Sequence, residues 1–232
     1  MVFGRNAGQR DADVAQGDDV VDDTSAEEAV TANAVDEDIR SDGPFDYTEV
    51  DLEDDSVDLH AHGMARITYG PLIITQPRDI KVQLQGDPQA KAVYSLLAHH
   101  EGSGIEVALF AAPRSGDMAE ELREDIIEEA SQGAGNAETS PGPFGTEIRR
   151  VLPVEGPEGE QLFHVSRIWL VTGPRWLLRG TLMGKAALVE GTNAPADFFV
   201  EFFRNIVVRR DDEARSPGEL IHLAVPEGVA QG

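Results

Sequence analysis

An α+β fold, mainly antiparallel β-sheet packed with two principal amphipathic helices and preceded by a disordered acidic arm, is predicted by three observations. Short segments alternate apolar and polar residues between Gly/Pro turns, the pattern of half-buried strands. Around residues 112–116 the apolar period lengthens to three or four, the pattern of a helix. Nineteen acids against three arginines crowd into residues 1–58 of a 232-residue chain whose formal net charge is −24.

That arm has almost no aromatic residue before Phe45, so it buries too little surface to offset chain entropy and is predicted disordered. Phe45, Tyr47, Val50, Leu52 and Val57 interrupt the acids, as in a short segment that docks on a surface, although an acidic run of this kind is more commonly a solvated linker. The single domain is set at residues 59–226, with a disordered tail at 227–232. At roughly 160 residues, its body buries about 70% of its unfolded surface in one core.

The elements follow in order. Residues 71–75 are a short apolar strand, and residues 79–85 alternate strictly, with Ile80, Val82 and Leu84 inward. Residues 91–99 and 103–111 form a hairpin across His100-Glu101-Gly102. The first helix begins at Asp117, an N-cap with Glu120 three residues on. It carries Ala119, Leu122, Ile126 and Ala130 on one face and stops at Gly133 in the left-handed conformation. Residues 133–145 read as a loop. Strands at 146–154 and 161–171 bracket a Gly/Pro turn, and the second continues through Gly173-Pro174 into another strand. Alternation there puts Trp176, Leu178, Gly180 and Leu182 in the core, with Arg175, Leu177, Arg179, Thr181 and Met183 opposite. The second helix is marked by Phe198, Phe199, Phe202 and Phe203, with Asn193 as cap and Pro195 in the first turn. Apolar runs at 207–208 and 220–225 complete the body.

Function is far less legible. The chain has no cysteine, no nucleophile elbow, no H-E-x-x-H and no Gly-rich loop followed by lysine, so no cofactor and no catalytic residue is assigned. His60 and His62 share a strand face but lack a third ligand, which favours solvated histidines over a metal site. A pI near 4.4 repels phosphate backbones and argues against nucleic acid. With no apolar leader and no spanning segment, the expected location is cytoplasmic, without membrane insertion. Two readings stand. One is an interaction or regulatory domain with an unidentified protein partner. The other is a small enzyme or sensor whose anionic ligand binds Arg114, Arg175 and Arg179, the first at a strand-to-helix turn and the others on one sheet face. Against that, sheet-face arginines commonly pair with neighbouring carboxylates, here Glu147 or Glu106.

Ala112-Pro113-Arg114, residues 143–147 (Pro-Phe-Gly-Thr-Glu), residues 173–180 (Gly-Pro-Arg-Trp-Leu-Leu-Arg-Gly) and Val207-Val208-Arg209 resemble an actinobacterial domain family that has no assigned activity. The resemblance runs from about Arg66 to Pro226 and is most specific in the GPRW-LLRG segment. It implies domain limits and carries no binding or catalytic residue with it. The element order also resembles the sheet-and-helix arrangement of PsbP-like proteins, a likeness of fold.

Overall fold

The computed structural model of the protein describes residues 42–52, 63–87, 89 and 92–226. Most of the arm, His60, His62 and the tail lie outside the described residues. Twelve strands and two α-helices are described, an α+β architecture dominated by antiparallel pairing.

A small sheet contains β1 (Phe45–Asp46), β2 (Met64–Tyr69), β3 (Leu72–Pro77) and β11 (Val207–Val208), in the order β1-β11-β3-β2. The large sheet contains β4 (Lys81–Asp87), β5 (Ala92–His100), β6 (Ser103–Ala111), β7 (Asn136–Gly142), β8 (Gly145–Glu155), β9 (Gln161–Gly173) and β10 (Trp176–Gly184). Its order is β4-β5-β6-β10-β9-β8-β7. β12 (Leu220–Ile221) pairs with Phe110 and Leu109, taking the edge of β6 beyond the stretch that β5 occupies. The β5–β6 hairpin turns on Glu101 and Gly102, both at positive φ (45° and 77°), the geometry whose twist matches antiparallel strands.

Alternation divides the large sheet as the residue pattern predicts. One face brings Ile105, Val107, Leu109, Trp169, Trp176, Leu178 and Leu182 against Leu72, Ile74 and Val208 of the small sheet. Helix α2 (Ala196–Arg204) drives Phe199, Phe202 and Phe203 into the same core. Helix α1 (Met118–Gln132) lays Ala119 and Ile126 over Ile148, Ile168, Leu170 and Leu177 on the other face.

Four local expectations need correction. Residues 133–145 are not a loop, because β7 pairs throughout with β8 from Asn136↔Val151 to Gly142↔Gly145. Backbone pairing at a sheet edge holds this strand, and its polar, Pro-containing sequence carries little apolar signal. The left-handed residue after α1 is Ala134 (φ 57°), and Gly133 stays at φ −83°. Gly135 N–H then reaches Ala130 O at 2.9 Å, and a Cβ on Gly135 would meet Val151 O at 2.6 Å, so close approach to β8 claims that glycine. Asn193 contributes its backbone carbonyl to Ala196 N–H (2.8 Å), and α2 has no side-chain N-cap.

The fourth correction concerns the domain's start, expected at residue 59. β1 pairs in parallel with β11, and Asp46 is buried. Its Oδ2 accepts a 2.8 Å hydrogen bond from Trp176 Nε1, and its Oδ1 accepts from Thr48 N–H, capping a 3-10 turn at Tyr47–Glu49. A buried indole N–H needs an acceptor, and the chain supplies one from 130 positions away. Deleting residues 1–58 is therefore expected to cost about 1–3 kcal/mol, lowering the calorimetric midpoint by at least about 3 °C. An unchanged midpoint would show that these contacts contribute nothing.

Candidate functional site: a cationic cleft

Arg179 lies on the α1 side of the large sheet, opposite Ala108 and Leu170, half-buried, with its guanidinium carbon 5.1 Å from the centroid of Phe110. Burial pushes its pKa below the usual guanidinium range. Glu106 and Glu129 oppose that push and Arg150 adds to it. Glu106 instead accepts from Ser95 Oγ (2.8 Å), and Arg150 Nε donates to Ser166 Oγ (3.3 Å). Among the described residues Arg179 makes no ion pair, so its neighbours are a polar belt and a ring.

Arg175 departs from the strand pattern. Gly173 pairs with Trp176, leaving Pro174 and Arg175 as a two-residue turn, with Arg175 at φ 62°. Proline first and a positive φ second is the type II arrangement, a second position usually filled by glycine. Four residues along a strand is also about 13 Å, too far for one two-pronged clamp with Arg179. The carbonyl of Arg175 accepts from Ala112 N–H (3.0 Å), and its charge reaches Arg210. Arg114, two residues beyond Ala112, is exposed and forms no ion pair among the described residues. The three candidate arginines thus divide: Arg179 joins Arg150, while Arg175 joins a second group.

Arg209 and Arg210 of that group line a cleft of about 460 Å³ together with Gly70, Pro71, Asp211, Ile221 and His222. β11 delivers Arg209 and Arg210, whose backbone continues the pairing through Arg209 N–H to Pro71 O (2.8 Å). Arg209 rests over the ring of Tyr47 at 5.6 Å, a cation–π contact. Arg210 donates Nη2 to Glu213 O (3.1 Å), and its buried Nε has no partner. Burial, then the charges of Arg175 and Arg215, lower the Arg210 pKa; Asp211 counters them. Asp211 is held below the usual carboxylate range, first by its hydrogen bond from Arg215, which also takes Glu213. Two of the local acids, Asp211 and Glu213, are engaged by Arg215, and Arg175, Arg209 and Arg210 have no carboxylate in an ion pair among the described residues. The adjacent Arg209-Arg210 pair is visible in the sequence, but its meeting with Arg175 depends on long-range pairing.

Two other polar features have structural explanations. A cleft of about 500 Å³ is lined by Asp79, Lys81, His99, His100 and Met183 among others. There His100 stacks on Phe198 at 3.9 Å and stands 3.8 Å from an Asp79 oxygen. No group of three or more His, Asp or Glu among the described residues is arranged to hold a metal. Glu147, expected as a partner for the sheet-face arginines, is fully buried and committed to Arg167, Arg149 and Trp169 on the opposite face.

A large antiparallel sheet, covered by α1 on one face and by α2 with a small sheet on the other, defines an α+β domain. The chain belongs to the family described as "Protein of unknown function (DUF3710)", matched over residues 43–232. That limit includes β1 and agrees with the packing of Asp46. No curated protein matches the chain. Among solved structures, it is similar to the cyanobacterial PsbP (CyanoP) of Synechocystis sp. PCC 6803, with a TM-score of 0.39, 10% identity, and coverage of 68% of this chain and 98% of that one. It is also similar to a Bacteroides thetaiotaomicron VPI-5482 protein, with a TM-score of 0.37, 14% identity, and coverage of 64% and 50%. No helix among the described residues is long and apolar enough to cross a membrane.

Proposed function

We propose that the protein is a cytoplasmic interaction module that takes an extended segment of a partner protein onto the outer half of the β8–β9 hairpin. The observation that carries this reading is the overhang of that hairpin. β10 pairs with β9 only as far as Ser166, whereas β8 and β9 pair on to Glu155↔Gln161. Among the described residues, 161–165 therefore have one edge without a strand partner, which is the requirement for strand addition. Phe163 is 63% exposed, and Leu162 and Val154 beside it are exposed as well. Beyond them the turn carries Glu155, Glu158 and Glu160, all exposed. An apolar strand with Lys or Arg at one end matches both features: side chains for Phe163 and Leu162, and positive charge for the acidic tip.

Replacing Phe163 with the photo-crosslinker p-benzoylphenylalanine in cells tests this. The cross-linked peptide, read by mass spectrometry, is expected to come from another protein and to combine apolar residues with a Lys- or Arg-rich flank. Phe163→Asp is expected to abolish the association while changing stability by less than about 0.5 kcal/mol, because the ring is exposed. Cross-links no different from those of the same label at exposed Leu188, or confined to a second copy of this chain, would overturn the reading.

A further inference from the structure

We propose that the cleft lined by Arg209, Arg210, Asp211 and His222 binds a small phosphate-bearing anion. The site is independent of the hairpin and does not rest on the interaction reading.

The first argument is unspent positive charge in an acidic protein. Arg175, Arg209 and Arg210 form no ion pair among the described residues, although the chain carries forty-three acids against nineteen bases. Of the three acids on the same segment, Asp211 and Glu213 are turned to Arg215, and the exposed Asp212 forms no ion pair among the described residues. Arg210 also keeps an Nε that is shut off from solvent and meets no acceptor. Guanidinium groups arranged this way repel one another and lose hydration, and an anion with several acceptor oxygens relieves both costs.

The second argument is conformational. Arg175 holds φ 62° at the turn position that glycine fills most easily. The strain locates a side chain whose presence the fold alone does not require, as strained positions at binding sites do. The third is size and charge. A cleft of about 460 Å³ exceeds what one phosphate group fills. Three guanidinium groups, offset in part by Asp211 on the lining, match the charge of a diphosphate or a phosphomonoester, whose remaining part occupies the space beside Pro71 and Ile221.

Calorimetric titration of the full chain with pyrophosphate and with inorganic phosphate, against sodium chloride of equal ionic strength, tests the proposal. Saturable binding of pyrophosphate is expected, weakened about 10- to 100-fold in Arg175→Gly and in Arg210→Gln, and unchanged in Arg179→Gln. Arg175→Gly keeps the experiment interpretable, since glycine suits the turn and the variant is expected to melt no lower than the parent. The site is refuted by heats no larger than those of chloride at about 10 mM ligand, by undiminished affinity in Arg175→Gly, or by equal weakening in Arg179→Gln, which would mark diffuse charge attraction.

Discussion

Trp176→Ala is expected to destabilise the domain by about 3–5 kcal/mol, a large part of the stability of an ordinary domain. The indole is fully buried between the large sheet and the elements packed on it. Its fit is tight enough that a Cβ on Gly173 would lie 2.1 Å from the ring, so the paired strand has made room for it. Truncation to a methyl removes that burial and leaves a cavity that two sheets cannot close over. It also removes the N–H that Asp46 Oδ2 accepts. Trp176→Phe separates the two effects: most of the ring volume stays and the hydrogen bond is lost, for an expected cost of about 1–3 kcal/mol. Urea denaturation monitored by far-UV circular dichroism measures both. A Trp176→Ala midpoint equal to that of the parent would contradict the packing of this strand.

The Trp176 result bears on what a residue pattern can disclose. Period-two alternation is a local consequence of the pleat, so β4, β6 and β10 and the inward face of Trp176 are readable from the chain alone. The same holds for α1, whose Asp117 Oδ1 accepts from Glu120 N–H (3.0 Å) at the position the spacing indicates. Features set by distant partners leave no such trace. Asp46 sits in an acid-rich stretch like its neighbours, and only the indole of Trp176 distinguishes it. β7 exists because β8 presents an edge, and its own residues barely favour a strand. Arg175 was legible in principle: Pro174 occupies the first position of a two-residue turn, which removes the following residue from the strand alternation. Its association with Arg210 was not, since it depends on how residues 209–222 return past the end of β6. The proposed anion cleft is therefore the least legible part of the molecule, assembled from a strand end and a connecting segment.

Glu147→Gln is expected to cost about 3–5 kcal/mol, because it leaves a buried guanidinium without its counter-charge. Glu147 is 1% exposed and Arg167 0%. Nε and Nη2 of Arg167 donate to the carboxylate at 2.8–3.1 Å, Trp169 Nε1 donates at 2.8 Å, and Arg149 Nε at 3.1 Å. Nη1 of Arg167 donates to the carbonyls of Val189 (3.3 Å) and Gly191 (2.8 Å), tying β9 to the segment that precedes α2. Such saturation is what a structural ion pair requires and what a ligand site cannot have, since a site must keep donors free. The arrangement also explains why the arginine on the Trp169 side of β9 is spent, whereas Arg175 and Arg210 are not. Glu147→Leu combined with Arg167→Met removes both charges together and is expected to recover part of the loss. Recovery stops short of the parent because Trp169 Nε1 then lacks an acceptor, a residual cost of about 1–3 kcal/mol. Chemical denaturation of the single and double variants decides the matter: a Glu147→Gln variant within about 0.5 kcal/mol of the parent would mean that the pair contributes little to holding β8 and β9 together.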